Sequence, residues 1–212
     1  MPTNLILIVI ATVGLIIIAR SEGSLSQSEI APTGSQKADP LAADVLAKPQ
    51  RYFNDYASLI DPKTAQQLDK RLEDFERQTS NQILVVIYPN LPADTAIEDF
   101  ALDAFRAWKP GQKGKNNGVI LFIFVQDEKI RIATGLGLEQ ALPNSLCKTI
   151  ISDQILPRFK ARDFSGGLNA AIDSIVAATR DAYSGTGKTV AEEKAANKAG
   201  QPSATPTAAI AH

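Results

Sequence analysis

The chain has 212 residues, 44% of them apolar and 21% charged, with a formal net charge of −1, which leaves room for one globular domain with flanking segments and gives no reason to expect nucleic acid as a partner. Its single cysteine, Cys147, excludes an intrachain disulfide. Its single histidine, His212, ends a polar tail, which excludes Ser-His-Asp and Cys-His catalysis and the usual His-based zinc sites.

The uncharged apolar run Leu5–Ala19 opens the chain. It is short against the roughly 20 residues of a full membrane span and matches the apolar region of a signal peptide. Ala19-Arg20-Ser21 is a poor cleavage pattern, so residues 1–20 read as an uncleaved anchor or signal segment forming an apolar helix. Residues 21–50 are rich in Ser, Ala, Pro and Gln without periodicity and read as a linker. The folded domain is expected over 51–183, with a disordered tail over 184–212.

Within the domain, Tyr52–Asp55 reads as a short strand. Asp61-Pro62 is a helix start, with Asp as N-cap and Pro at the first helical position. Ala65, Leu68, Leu72 and Phe75 follow at helical spacing. Gln82–Tyr88 is a β-branched buried strand. Thr95 and Glu98 form a capping-box pattern before a helix that carries Phe100, Ala101, Ala104 and Trp108 on one face. Gly118–Val125 and Lys129–Thr134 make a hairpin across Asp127-Glu128. Two further helices are expected near 144–156 and 165–183. Alternating strands and helices indicate an α/β layer fold, with a right-handed parallel crossover from the Gln82 strand to the Gly118 strand.

A hairpin reverses direction, so the loop before Gly118 and the loop after Thr134 lie at one end of the sheet. If the Gln82 strand is parallel to the Gly118 strand, Asn81 lies there too. Asn81, Asn116, Asn117 and Glu139 are thus expected to converge, beside the N-terminus of the Asn144 helix. Two readings stand. Amide and backbone oxygens with the Glu139 carboxylate would hold a hard cation such as Ca²⁺. Alternatively, Asn116-Asn117-Gly118 only turns the chain, and Gly135 and Gly137 supply special backbone angles. Gly185-Thr186-Gly187-Lys188-Thr189 lacks the first glycine of a phosphate-binding loop and follows a helix rather than a strand.

Five segments in order resemble the TPM domain family: NDYASLID at 54–61, LEDFERQTSNQILVVI at 72–87, IEDFALDAFRAWKPGQKGKNNGVILFIF at 97–124, RIATGLGLEQALPN at 131–144 and ILPRFKARDFSGGLNAAI at 155–172. The resemblance implies an α/β/α sandwich with a small, mixed, mostly parallel sheet. It implies an extracytoplasmic domain at the cell membrane, facing the periplasm or the exterior, with envelope or membrane proteins as partners. It also implies Ca²⁺ binding or a weak acid phosphatase activity in some members. Asp55 matches an Asp common in the family and joins the candidate metal residues on that ground. Where many members have Asp-Asn-Gly this chain has Asn116-Asn117-Gly118, one carboxylate fewer. The expected function is an accessory or binding role in membrane-protein maintenance; a weak cation-assisted phosphatase is the alternative, and a purely structural module the third.

Overall fold

The computed structural model describes residues 47–199. The expected anchor and most of the linker lie outside them; no helix within them is long and apolar enough to cross a membrane.

Four strands form one mixed sheet in the order β1-β2-β3-β4: β1 Phe53–Asp55, β2 Gln82–Tyr88, β3 Gly118–Phe124 and β4 Lys129–Thr134. β1, β2 and β3 are parallel, with Phe53 beside Val85 and Gln82 beside Gly118. β4 returns antiparallel, with Val119 beside Thr134. β2 and β3 are buried at every position, as expected of strands covered on both faces.

The period of two along each strand separates two cores. Ile83, Val85 and Ile87 join Val119, Leu121 and Ile123 on one face, under helix α1 (Pro62–Thr79) and the C-terminal helices. Leu84, Val86 and Tyr88 join Ile120, Phe122 and Phe124 on the other, under helix α2 (Ile97–Trp108). Tyr88, Phe100, Phe122 and Phe124 interlock there through stacked and edge-to-face contacts, which add to their area burial.

The two crossovers, β1-α1-β2 and β2-α2-β3, step across the sheet in one direction, yet their helices pack on opposite faces. Two right-handed crossovers would place both helices on one face, so one of the two is left-handed, against the general rule.

Helix α1 begins as the sequence indicates: the Asp61 carboxylate accepts from Thr64 N at 2.9 Å. Helix α2 does not. Its N-cap is Ala96 with no side-chain cap; the Thr95 hydroxyl donates back to Ala93 O at 3.1 Å, and Glu98 instead meets Arg131 Nη1 at 3.2 Å. The capping box is therefore replaced by a turn bond and an ion pair.

A continuous helical stretch follows: α3 (Asn144–Thr149), a π-helical segment (Ile150–Ile155) and α4 (Leu156–Lys160). Leu156 N donates to Ile151 O, five residues back. Pro157 has no N–H for the carbonyl four residues before it and its ring crowds that carbonyl, so the widened turn relieves both problems. Helix α5 (Phe164–Thr179) closes the first core.

The expected tail departs most from its reading. Gly185 N donates to Gln78 O at 2.9 Å and Gly187 N to Arg77 O at 3.2 Å, and helix α6 (Val190–Ala199) follows. Thr189 and Glu192 form a capping box: Glu192 N donates to Thr189 Oγ1 at 3.2 Å and Thr189 N to Glu192 Oε2 at 3.0 Å. The segment docks because α1 ends in carbonyls that need donors and because Val190 N reaches the buried Glu76 carboxylate at 3.0 Å. Residues 200–212 lie outside the described part.

Candidate functional site

Asn81 follows the α1 cap and Asn117 precedes β3, so parallel pairing places them side by side, and both are fully buried. Asn117 Nδ2 donates to Asn81 Oδ1 at 3.1 Å and to Ser80 O at 2.7 Å, while its Oδ1 accepts from Gln112 N at 2.8 Å. Asn81 Nδ2 donates to Thr179 O at 2.7 Å. These two amides are therefore committed to joining the β2 start, the 109–117 loop and the end of α5. Buried amides demand such partners.

Asn116 takes a left-handed conformation, φ 51, which Asn tolerates. Its carbonyl accepts from Gly137 N at 3.1 Å. Gly135 and Gly137 are needed for closeness rather than for a special backbone angle: a Cβ at Gly135 would lie 2.2 Å from Asn116 O, and one at Gly137 1.9 Å from Lys115 O. The Gly135–Glu139 loop carries a short 3₁₀ turn, Leu136–Leu138, whose Leu138 is buried. Tyr183 Oη bridges Gly137 O at 3.2 Å and Lys115 O at 3.4 Å, with Lys115 Nζ over its ring. Lys115 also donates to Ser80 Oγ at 3.2 Å.

What remains open is a groove of about 660 Å³ between α2, β4 and the 3₁₀ turn. Asn116, Glu139 and Asn144 line it, as the topology implied, with Arg131 on its wall. Leu102 and Leu136 are exposed along it. Cys147 sits under β4, with its sulfur 3.6 Å from Thr134 Oγ1. Burial pushes its thiol pKa up, which suits a packed side chain rather than a nucleophile.

Asp55 is not part of this grouping. It closes β1 beside Ile87, at the C-terminal ends of the parallel strands, whereas Asn81 and Asn117 precede their N-terminal ends. Its carboxylate accepts from Ala57 N at 3.1 Å and Ile60 N at 2.9 Å, closing the loop into α1. Among the described residues, no three His, Cys, Asp or Glu side chains gather closely enough to hold a metal.

Glu76 stands out little in the sequence. It is fully buried on α1 and accepts from Tyr52 Oη, Val190 N and Gln82 Nε2. Burial raises its pKa, against the pull of those donors. Its helical period points it inward between Leu72 and Thr79, a legible but weak signal.

A mixed sheet between helical layers, with a polar loop cluster where β2 and β3 begin and β4 ends, defines an α/β domain of the TPM type. The TPM domain profile matches residues 53–178, more than half the chain, and the chain belongs to that family. Among solved structures it is similar to the N-terminal domain of a protein from P. gingivalis, with 29% identity and a TM-score of 0.56 over 61% of this chain and 82% of that one. It is also similar in fold to the BA42 protein of the psychrophilic bacterium Bizionia argentinensis, with 19% identity and a TM-score of 0.51 over 61% of this chain and 87% of that one. No curated protein matches the chain.

Proposed function

We propose that this TPM domain is an extracytoplasmic binding module, tethered to the membrane by Leu5–Ala19 and serving an accessory role on envelope or membrane proteins. Its contact site is the groove between α2 and β4. The supporting observation is the division of labour among the polar residues: Asn81 and Asn117 are spent on internal hydrogen bonds, while Asn116 and Glu139 stay open to a groove flanked by exposed Leu102 and Leu136. A hard cation such as Ca²⁺ would meet the Glu139 carboxylate and the side-chain oxygen of Asn116 there. Of the two carboxylates that line the groove, Glu98 is held by Arg131 and only Glu139 is left for a cation, so the affinity is low, since charge count governs it.

The test uses the full chain in nanodiscs. Calcium should shift the amide resonances of Asn116 and Glu139, and hydrolysis of p-nitrophenyl phosphate should stay at background. Turnover that disappears in Glu139→Ala would replace this reading with the second one, a weak cation-assisted phosphatase. Arg131 on the groove wall belongs to that alternative, because a guanidinium beside a bound cation is suited to phosphoryl oxygens, but it would first have to leave its ion pair with Glu98.

A further inference from the structure

At the other end of the sheet a cavity of about 410 Å³ opens between the loop after β1, the β3–β4 hairpin and the turn from α4 to α5. Its volume is within the range of small-molecule sites, and the carboxyl ends of parallel strands are where open α/β sheets receive ligands. Leu59, Ile130, Leu156, Phe159 and Phe164 form its walls, and all five are half-buried. Phe159 and Phe164 meet edge to face with centroids 5.2 Å apart, which holds one wall rigid. The lining is apolar but its mouth stays open to solvent, where a core would be closed.

The mouth is positively charged. Lys160 and Arg162 are exposed on its rim and make no ion pair or side-chain hydrogen bond among the described residues. Arg71, Arg77 and Arg131, by contrast, are all paired with carboxylates. Glu128 is the one acidic side chain of the lining, so two cations outweigh it. The backbone is unusual at the same place: Arg162 and Glu128 are left-handed at φ 61 and 53, and the π-helical segment ends where Leu156 enters the wall. Strained non-glycine residues and π-turns cluster at functional sites.

We propose that this cavity binds a free single-chain amphiphilic anion, with its alkyl chain between Leu156 and Phe164 and its carboxylate at Lys160 and Arg162. A cavity walled on three sides accepts one chain as a monomer, whereas a bilayer surface would meet a flat or protruding patch. The site lies across the sheet from the Asn116–Glu139 groove, so it stands or falls independently of that reading.

The experiment is photocrosslinking of the full chain, held in phosphatidylcholine nanodiscs, with decanoate carrying a terminal diazirine. Adducts should map to Leu59 and to the stretch 156–164, and unlabelled decanoate should compete them away. Decyltrimethylammonium should not compete. Lys160→Glu with Arg162→Glu, both on the surface, should lower apparent affinity roughly tenfold or more while leaving the fold intact by circular dichroism. Leu156→Trp should block labelling by filling the cavity. Adducts scattered over the surface or confined to Leu5–Ala19 would overturn the proposal. So would equal competition by the cationic amphiphile, or competition by anionic vesicles at the same site without any effect of free decanoate.

Discussion

Asn117 Nδ2 donates to Asn81 Oδ1 at 3.1 Å, and neither side chain has any exposed surface. This contact turns two of the residues suited to ion binding into a structural clasp. Asn117→Ala would strand the Ser80 carbonyl, the Gln112 amide and the Asn81 oxygen. We expect a stability loss of about 3 kcal/mol, from several buried groups left without partners. Urea unfolding of wild type and variant measures it; a loss under about 0.5 kcal/mol, the usual surface effect, would show that the clasp is not stabilising.

Asn116 has a different part to play. Its left-handed backbone suits Asp as well as Asn, so Asn116→Asp should fold normally. An added carboxylate beside Glu139 should raise calcium affinity roughly tenfold, and Glu139→Gln should remove that gain. Calorimetry on the three proteins decides the matter; an unchanged heat of binding in Asn116→Asp would move the cation elsewhere.

Gly137 is the pivot of the loop that carries Glu139. A methyl group there meets the Lys115 carbonyl. Gly137→Ala should therefore cost about 2 kcal/mol or more, through backbone displacement. It should also shift the resonances of Lys115 and Tyr183, which share that contact. A thermal midpoint equal to wild type would mean the loop yields freely.

The Glu76 carboxyl has its pKa raised in the folded protein by burial. As pH rises, the unfolded chain ionises first, near the ordinary Glu value of about 4.3. The favourable contribution of the protonated acid is complete below that pH and is lost as pH rises through the higher folded value. The stability difference between wild type and Glu76→Gln should therefore shift against wild type as pH rises above about 4. Other carboxylates cancel in that difference. Parallel melting curves across this range measure it; a difference that moves the opposite way would show that the donors from Tyr52, Val190 and Gln82 outweigh burial.

The 184–199 segment should be the first part of the described chain to open. Its helix is short and depends on the Thr189 cap. Thr189→Ala should cost about 1 kcal/mol and speed amide exchange over Val190–Ala199 while the β2 and β3 amides stay protected. Uniform exchange changes across the sheet would mean the segment is integral to the core.

Much of the architecture was written locally. The β2 and β3 runs, the Asp61-Pro62 helix start and the β3–β4 hairpin are set by side-chain period and turn chemistry within a few residues. The hairpin alone brings Asn116 and Glu139 to one end, and the family motifs extend that to the whole domain. Thr189 and Glu192 were also legible as a cap, but low apolar content hid them.

Other features belong to the tertiary structure. Whether Asn81 and Asn117 serve an ion or the fold depends on Thr179, Ser80 and Gln112, and Thr179 comes from a distant helix. That one crossover is left-handed follows from which face each helix covers, which the amphipathic pattern of either helix does not specify. The open apolar cavity needs Leu59, Ile130 and Phe159 brought together from three parts of the chain. Sequence period decides which side of an element turns inward; only the packed arrangement decides what it meets there, because hydrogen-bond partners and cavity walls are supplied by residues far away along the chain.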